Sequence, residues 1–258
     1  MEREVLYGVL LEVAYDGTAY CGFQYQENGP TVQAALEKAI STLEKRFIRV
    51  KGASRTDSGV HARGQRLFFT TPNNIPETGY MKGLNTVLPR DISAVSVRKV
   101  PVDFNPRLTA GKVYIYRINL HPVRDPFEIR WHWHYFHSLD MGRMIEAATY
   151  IKGTHDFDCF QAADCERDNT TRTIYSINVD RCGYTIEIKI SGSAFLKNMV
   201  RIISGTLVDV GRGFRNPEYV KQLIESKDRT QAGMTAPACG LTLEKIIYPD
   251  EDTSVLFF

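Results

Sequence analysis

Apolar positions follow a strand's rhythm through VLYGVLLEVAYDG, which ends in the turn signal Tyr15-Asp16-Gly17. After a Gly-Pro boundary, TVQAALEKAISTLEKRF places Val32, Leu36, Ala39, Ile40 and Leu43 on one helical face. RVKGA then reads as a short strand entering a polar, Gly-containing loop, RLFFTT as another strand, YMKGLNTVL as a short helix and ISAVSVRKV as a strand. The second half repeats this grammar. KVYIYRINL is an alternating strand, WHWHYFH a further strand, MGRMIEAATYIKG a helix closed by Gly153, and TIYSINVDRCGYTIEIKIS a hairpin about Cys182-Gly183. In AFLKNMVRIISGTLVDVG, the residues Phe195, Met199, Ile202, Ile203, Thr206, Leu207 and Val210 share one arc, with Lys197 and Arg201 opposite, which predicts a long amphipathic helix. GLTLEKIIY closes the chain as a strand. The hairpins favour antiparallel pairing, so the pattern predicts an α+β protein in which two related halves, residues 1–105 and 106–258, share a large sheet.

Composition agrees with a packed core: 43% of the 258 residues are hydrophobic and 24% are charged. No run of about 18 apolar residues occurs, and the acidic opening MEREVLYGVL is unlike a signal peptide, so a soluble cytoplasmic protein with no membrane partner is expected. The five cysteines (Cys21, Cys159, Cys165, Cys182 and Cys239) are odd in number, irregular in spacing and without C-x-x-C, which points to reduced thiols. The net charge of +2 conceals an uneven distribution. From Lys38 to Arg66 eight bases face two acids, and from Lys189 to Arg215 five bases face one, local nets of +6 and +4. Two positive segments in a nearly neutral chain suit a phosphate backbone, although either one alone is more often a solvated face.

The polar loop from Gly52 to Gln65 carries Asp57 among Arg55, His61 and Arg63. A carboxylate flanked by cations stays ionised and available as nucleophile or base; the plainer reading is an Asp capping its own turn. Metal chemistry has little support. His132 and His134 share a strand face but no third ligand is spaced nearby, His155, Cys159 and Cys165 are irregular, and Gly59 argues against a helical Asp57–His61 ligand pair.

The run Arg55-Thr56-Asp57-Ser58-Gly59-Val60-His61-Ala62 resembles the catalytic-loop signature of the tRNA pseudouridine synthase A family. The resemblance runs nearly end to end and in the family's order. It takes in Tyr15-Asp16-Gly17, Gly22-Phe23-Gln24-Tyr25-Gln26, Leu88-Pro89-Arg90-Asp91-Ile92, Lys112-Val113-Tyr114-Ile115-Tyr116, Gly153-Thr154-His155-Asp156-Phe157, Phe195-Leu196-Lys197-Asn198-Met199-Val200-Arg201 and Ala236-Pro237-Ala238-Cys239-Gly240-Leu241. Phe23 stands where the family usually has Trp, and Ser54 where Gly is common.

The resemblance implies a pseudouridine synthase fold: two ferredoxin-like α+β halves forming a large, mostly antiparallel sheet, with helices packed on it and a central cleft. It also implies a homodimer that isomerises uridine at positions 38 to 40 of the tRNA anticodon stem-loop, without cofactor or metal. Asp57 matches the catalytic residue, Arg55 its neighbour that holds RNA open, Tyr114 the aromatic that stacks on the target base, Arg201 the base paired with the Asp, and Leu241 a residue lining the uracil pocket. His61, Arg63, Lys51 and Lys197 are the remaining candidates for RNA contact. Breaking C1′–N1 and rejoining through C5 requires one positioned carboxylate, which adds at C6, attacks C1′ or deprotonates C2′; the residues do not separate these routes. Two competing readings are an RNA-binding protein with an inactive site, against which the intact Arg55, Asp57, Tyr114 and Arg201 set speaks, and a small-substrate hydrolase using Asp57 and His61, against which the basic segments and Tyr114 speak.

Overall fold

The computed structural model describes residues 5–164 and 169–258. Cys165, one of the thiols weighed as a metal ligand, lies outside the described residues. The chain is mixed α/β, with a large, mostly antiparallel sheet and five helices among the described residues. It divides into two compact units: Met1–Thr109 with Leu243–Ile246, and Ala110–Thr242 with Ile247–Phe258. The division falls four residues beyond the expected boundary at 105, and the middle of the last strand belongs with the first unit.

The first unit runs β1 (Tyr7–Tyr15), α1 (Val32–Glu44), β2 (Lys51–Gly52), β3 (His61–Thr71), α2 (Glu77–Val87) and β4 (Ile92–Val100). Its strands are ordered β4-β1-β3, with β2 on β3 and every pairing antiparallel. A βαββαβ chain in the order 4-1-3-2 is the ferredoxin-like arrangement. Thr31 caps α1 by accepting from the Ala34 N–H, and Val32, Leu36, Ala39 and Ile40 are buried, as their spacing predicts. Glu37 and Glu44, on the nominally polar face, are buried too: Glu37 accepts from the Val50 N–H at 3.0 Å, and Glu44 takes hydrogen bonds from Thr71, Asn73 and Tyr80. These bonds fasten α1 to α2 and β3, as buried carboxylates require.

The second unit contains β5 (Gly111–Asn119), β6 (Trp133–His134), α3 (Met141–Thr149), β7 (Gly153–Asp156), β8 (Thr171–Cys182), β9 (Thr185–Gly192), α4 (Met199–Gly211) and α5 (Tyr219–Ser226). With β10 (Leu241–Ile247), the order is β10-β5-β9-β8-β7. Setting β6 and β7 aside, β5-α3-β8-β9-α4-β10 repeats the 4-1-3-2 order of the first unit, so the two units share one topology.

Three elements depart from expectation. WHWHYFH supplies only the two-residue β6, paired parallel to β5. Gly153 does not close α3, which ends at Thr149; it opens β7 with φ +115°. Asn198 adopts φ +61° ahead of α4, so Phe195 and Lys197 precede that helix, and eleven of its thirteen residues are buried, so it is a core helix with no solvated face.

Candidate active site

In the first unit, Asp57 sits half-buried in the loop joining β2 to β3. Its carbonyl accepts from the Val60 N–H at 3.1 Å, closing a four-residue turn. Gly59 occupies the third position at φ +77°, the value a type II turn demands and a side chain resists. The turn is bonded to the segment after β1: the Thr56 carbonyl accepts from the Phe23 N–H at 3.1 Å, and the Tyr20 carbonyl accepts from the Gly59 N–H and the Ser58 hydroxyl, each at 3.3 Å. The Tyr15 hydroxyl, also buried, lies 2.8 Å from Thr56 Oγ1. The β1–β3 ladder loses register between Val13 and Tyr15, with one extra residue on β3, a bulge at the strand end that carries Tyr15 toward the loop. Two backbones meet closely here: a Cβ on Gly17 would lie 2.0 Å from the Val60 carbonyl oxygen.

Asp91, from the Leu-Pro-Arg-Asp-Ile run, holds the same segment. Its carbonyl accepts from the Asp16 N–H at 2.9 Å, and its carboxylate accepts from the Tyr20 hydroxyl at 2.8 Å. Burial first, then the Asp91 carboxylate, pushes the Tyr20 phenol above its ordinary range and keeps it a donor. Ser54 is also fixed, its carbonyl accepting from Gln65 Nε2 at 2.9 Å.

The candidate cations of this unit differ in accessibility. Arg55, Lys51 and Arg63 are exposed, Arg63 standing 3.9 Å from Glu244. His61, expected at the RNA surface, is instead 2% exposed. Its Nδ1 accepts from the Gly17 N–H at 3.1 Å, with Asp16 Oδ1 3.2 Å away, so the ring fastens the loop to the Tyr15-Asp16-Gly17 turn.

In the second unit, Tyr114 on β5 is 6% exposed and meets Phe195 edge to face, ring centroids 5.0 Å apart. Tyr116, on the same strand face, is fully buried and donates to the Pro237 carbonyl at 2.8 Å. Arg201 does not point into solvent. Its Nε donates to the Ala236 carbonyl at 2.7 Å and its Nη1 to Asn198 Oδ1 at 2.8 Å, while the Ala236 N–H donates back to the Arg201 carbonyl. The 233–236 segment is itself clamped: Arg229 donates to the Gly233 carbonyl and to Thr235 Oγ1, and the Gly233 N–H donates to Thr206 on α4. Burial raises the Tyr116 and Cys239 pKa values, and the Arg201 charge opposes both shifts. Leu241 is buried where β10 begins, and Lys197 is exposed and paired with Asp164 at 2.5 Å. The groups that position Asp57 and Arg201, namely Tyr15, Tyr20, Asp91 and Arg229, were not marked by spacing. Only the motif runs that contain or adjoin the first three offered a signal.

The family model described as tRNA pseudouridine synthase matches residues 12–107 and 147–249. The chain belongs to this family. The tRNA pseudouridine synthase A of Myxococcus xanthus is 42% identical over 242 residues, covering 93% of this chain and 91% of that protein. That of Pelobacter propionicus is 43% identical, covering 93% and 99%. Among solved structures, a Cbf5-Nop10-Gar1 complex aligns over 91% of this chain and 48% of that one, with a TM-score of 0.39 and 12% identity, a likeness too remote to inform the site. As a tRNA pseudouridine synthase the chain is an isomerase with RNA as its substrate. No helix among the described residues is long and apolar enough to cross a membrane.

Proposed function

We propose that this synthase isomerises uridine at positions 38 to 40 of the tRNA anticodon stem-loop, in the cytoplasm and as a homodimer, with Asp57 as the catalytic nucleophile or base. The observation that carries the reading is the Asp57 turn, built by Gly59 and bonded on its flanks to Tyr15, Tyr20 and Phe23. A carboxylate on a backbone held this firmly can meet a reacting carbon at fixed distance. In the isomerisation the C1′–N1 bond breaks, C1′–C5 forms, C5 gives up a proton and N1 gains one, so the change balances without a co-reactant.

Tyr114 is the stacking partner of the extruded uracil, Leu241 lines its pocket, and Arg201 is the cation that keeps Asp57 ionised. Arg55 holds the stem open, while Arg63, Lys51 and Lys197 meet phosphates. Extruding a base costs a few kcal/mol, which stacking and phosphate contacts offset. The clamp on Arg201 supports its role, because a guanidinium already oriented loses little freedom when it pairs.

The homodimer has support in exposed apolar residues between 123 and 136. Phe127 is 86%, Val123 69% and Phe136 65% exposed, more apolar surface than a solvated turn needs. Light scattering is expected to give the mass of two chains, and Phe127→Glu to shift it toward one; an unshifted dimer contradicts this face.

Mass-spectrometric or carbodiimide mapping of unmodified tRNA after incubation with the protein tests reaction and position together. New pseudouridine is expected at 38, 39 or 40 whenever uridine stands there. Pseudouridine at other positions only would overturn the assignment.

A further inference from the structure

A shallow, open groove of about 460 Å³ lies along the exposed side of α1 in the first unit. Its walls are Tyr25 and Phe47, which are 56% and 70% exposed, with Lys38 and Thr42 of the helix between them. A hydrogen-bond relay ties the two walls together. The Tyr25 N–H donates to Gln33 Oε1 at 3.0 Å, Gln33 Nε2 donates to Glu37 Oε1 at 2.9 Å, and the same Glu37 oxygen accepts from the Val50 N–H at 3.0 Å, three residues beyond Phe47. The exposed rings are therefore carried on backbone fixed before any ligand arrives.

The surroundings are positive on the side of Phe47, while the exposed acid Glu27 stands two residues from Tyr25. From Lys38 to Lys51 the exposed bases are Lys38, Lys45, Arg46, Arg49 and Lys51, and the one acid, Glu44, is buried in its bonds to α2 and β3. Glu37, which touches the groove, is 8% exposed and spends its oxygen inward. The Arg49 guanidinium stands 5.7 Å from the Phe47 ring centroid, a flat cation beside a flat ring. Exposed aromatic rings within a band of bases are how unpaired nucleotides are held, the rings stacking on bases and the cations meeting phosphates. A protein partner with an apolar patch would leave these charges unmatched.

One wall of the groove is joined through the chain to the segment that holds the Asp57 loop. Tyr25 is two residues from Phe23, whose N–H holds the Thr56 carbonyl next to Asp57 and whose carbonyl accepts from the Gln33 N–H. Two residues of chain span at most about 7 Å, so one wall of the groove is within a nucleotide or two of the segment that builds the Asp57 turn.

We propose that this groove is a second RNA site, which stacks an unpaired nucleotide of the tRNA other than the reacting uridine on Tyr25 and Phe47 and grips its flanking phosphates with Lys38 and Arg49. The proposal rests on the reading of tRNA as substrate. Phe47→Ala and Tyr25→Ala are each expected to weaken binding of an unmodified tRNA transcript at least about five-fold. Arg49→Gln is expected to lower the slope of log Kd against log salt by up to about one. In Phe47→Trp, the indole emission in excess of that from Trp131 and Trp133 in the unsubstituted protein is expected to be quenched on adding the transcript. That signal reports contact whether or not uridine is isomerised, so failure of the groove and failure of the assigned reaction are read separately. Unaltered affinity in both alanine variants, or unchanged indole emission at saturating transcript, overturns the proposal and leaves the groove to a protein or small-molecule ligand.

Discussion

The side chains that make Asp57 a plausible reactant are mostly ones that cannot react themselves. The Tyr15 hydroxyl reaches Thr56 across 41 positions of sequence, and Tyr20 reaches Asp91 across 71. Nothing in local spacing announces such pairs, because a hydrogen bond between distant segments exists only after the strands have aligned. The loop that holds Asp57 is legible for the opposite reason: its turn is local and closes on Gly59 at φ +77°, whereas Asp57 itself stands out through the cations around it and the family resemblance of its run. His61 shows the limit of that reading. Its place among cations suggested a phosphate contact, yet its ring is buried and bonded to Gly17. Tyr15→Phe removes one hydroxyl from the buried pair and leaves the Thr56 oxygen short of a partner. Denaturant unfolding is expected to show a loss of about 0.5–1.5 kcal/mol, and turnover is expected to fall more than tRNA affinity. Equal turnover in the variant would show that the bond does not position the loop.

Helix α4 marks where element-level reading succeeded and where it failed. The apolar arc Met199, Ile202, Ile203, Leu207 and Val210 is buried as expected, but so are Val200, Ser204, Gly205 and Val208. Periodicity distinguishes an apolar face from a polar one only when the polar face meets water. Here small residues admit neighbouring backbone instead: a Cβ on Gly205 would lie 2.0 Å from the Met234 carbonyl oxygen. Arg201 is thus enclosed by the 233–236 segment, which answers in turn to Arg229. Burial pulls the Arg229 pKa down, and its fork of donors to Gly233 and Thr235 offsets that cost. Arg229→Ala is expected to lower turnover about 10- to 100-fold with tRNA Kd little changed, because the Ala236 carbonyl that aims Arg201 loses its support. Single-turnover kinetics beside filter binding separates the two; a loss confined to affinity would contradict the positioning role.

At the scale of the whole chain, order was more legible than extent. The two α+β halves are expected from strands and hairpins; the first unit runs βαββαβ in the order 4-1-3-2, and the second half repeats that order once β6 and β7 are set aside and β10 is counted with it. Their boundary was placed at 105 where the structure places it at 109, and Leu243–Ile246 sits with the first unit although it lies near the end of the chain. A strand shared in this way cannot be assigned from composition, since its residues resemble those of any closing strand. Charge behaved similarly: the net of +2 conceals the +6 segment that holds Asp57 and borders the α1 groove. All of these features matter to function only if Asp57 is the reacting group. The direct measurement is pseudouridine formation by Asp57→Asn on unmodified tRNA, with binding of the same tRNA measured in parallel. The predicted result is no detectable pseudouridine with binding largely retained; pseudouridine formed at the wild-type rate would contradict the central claim.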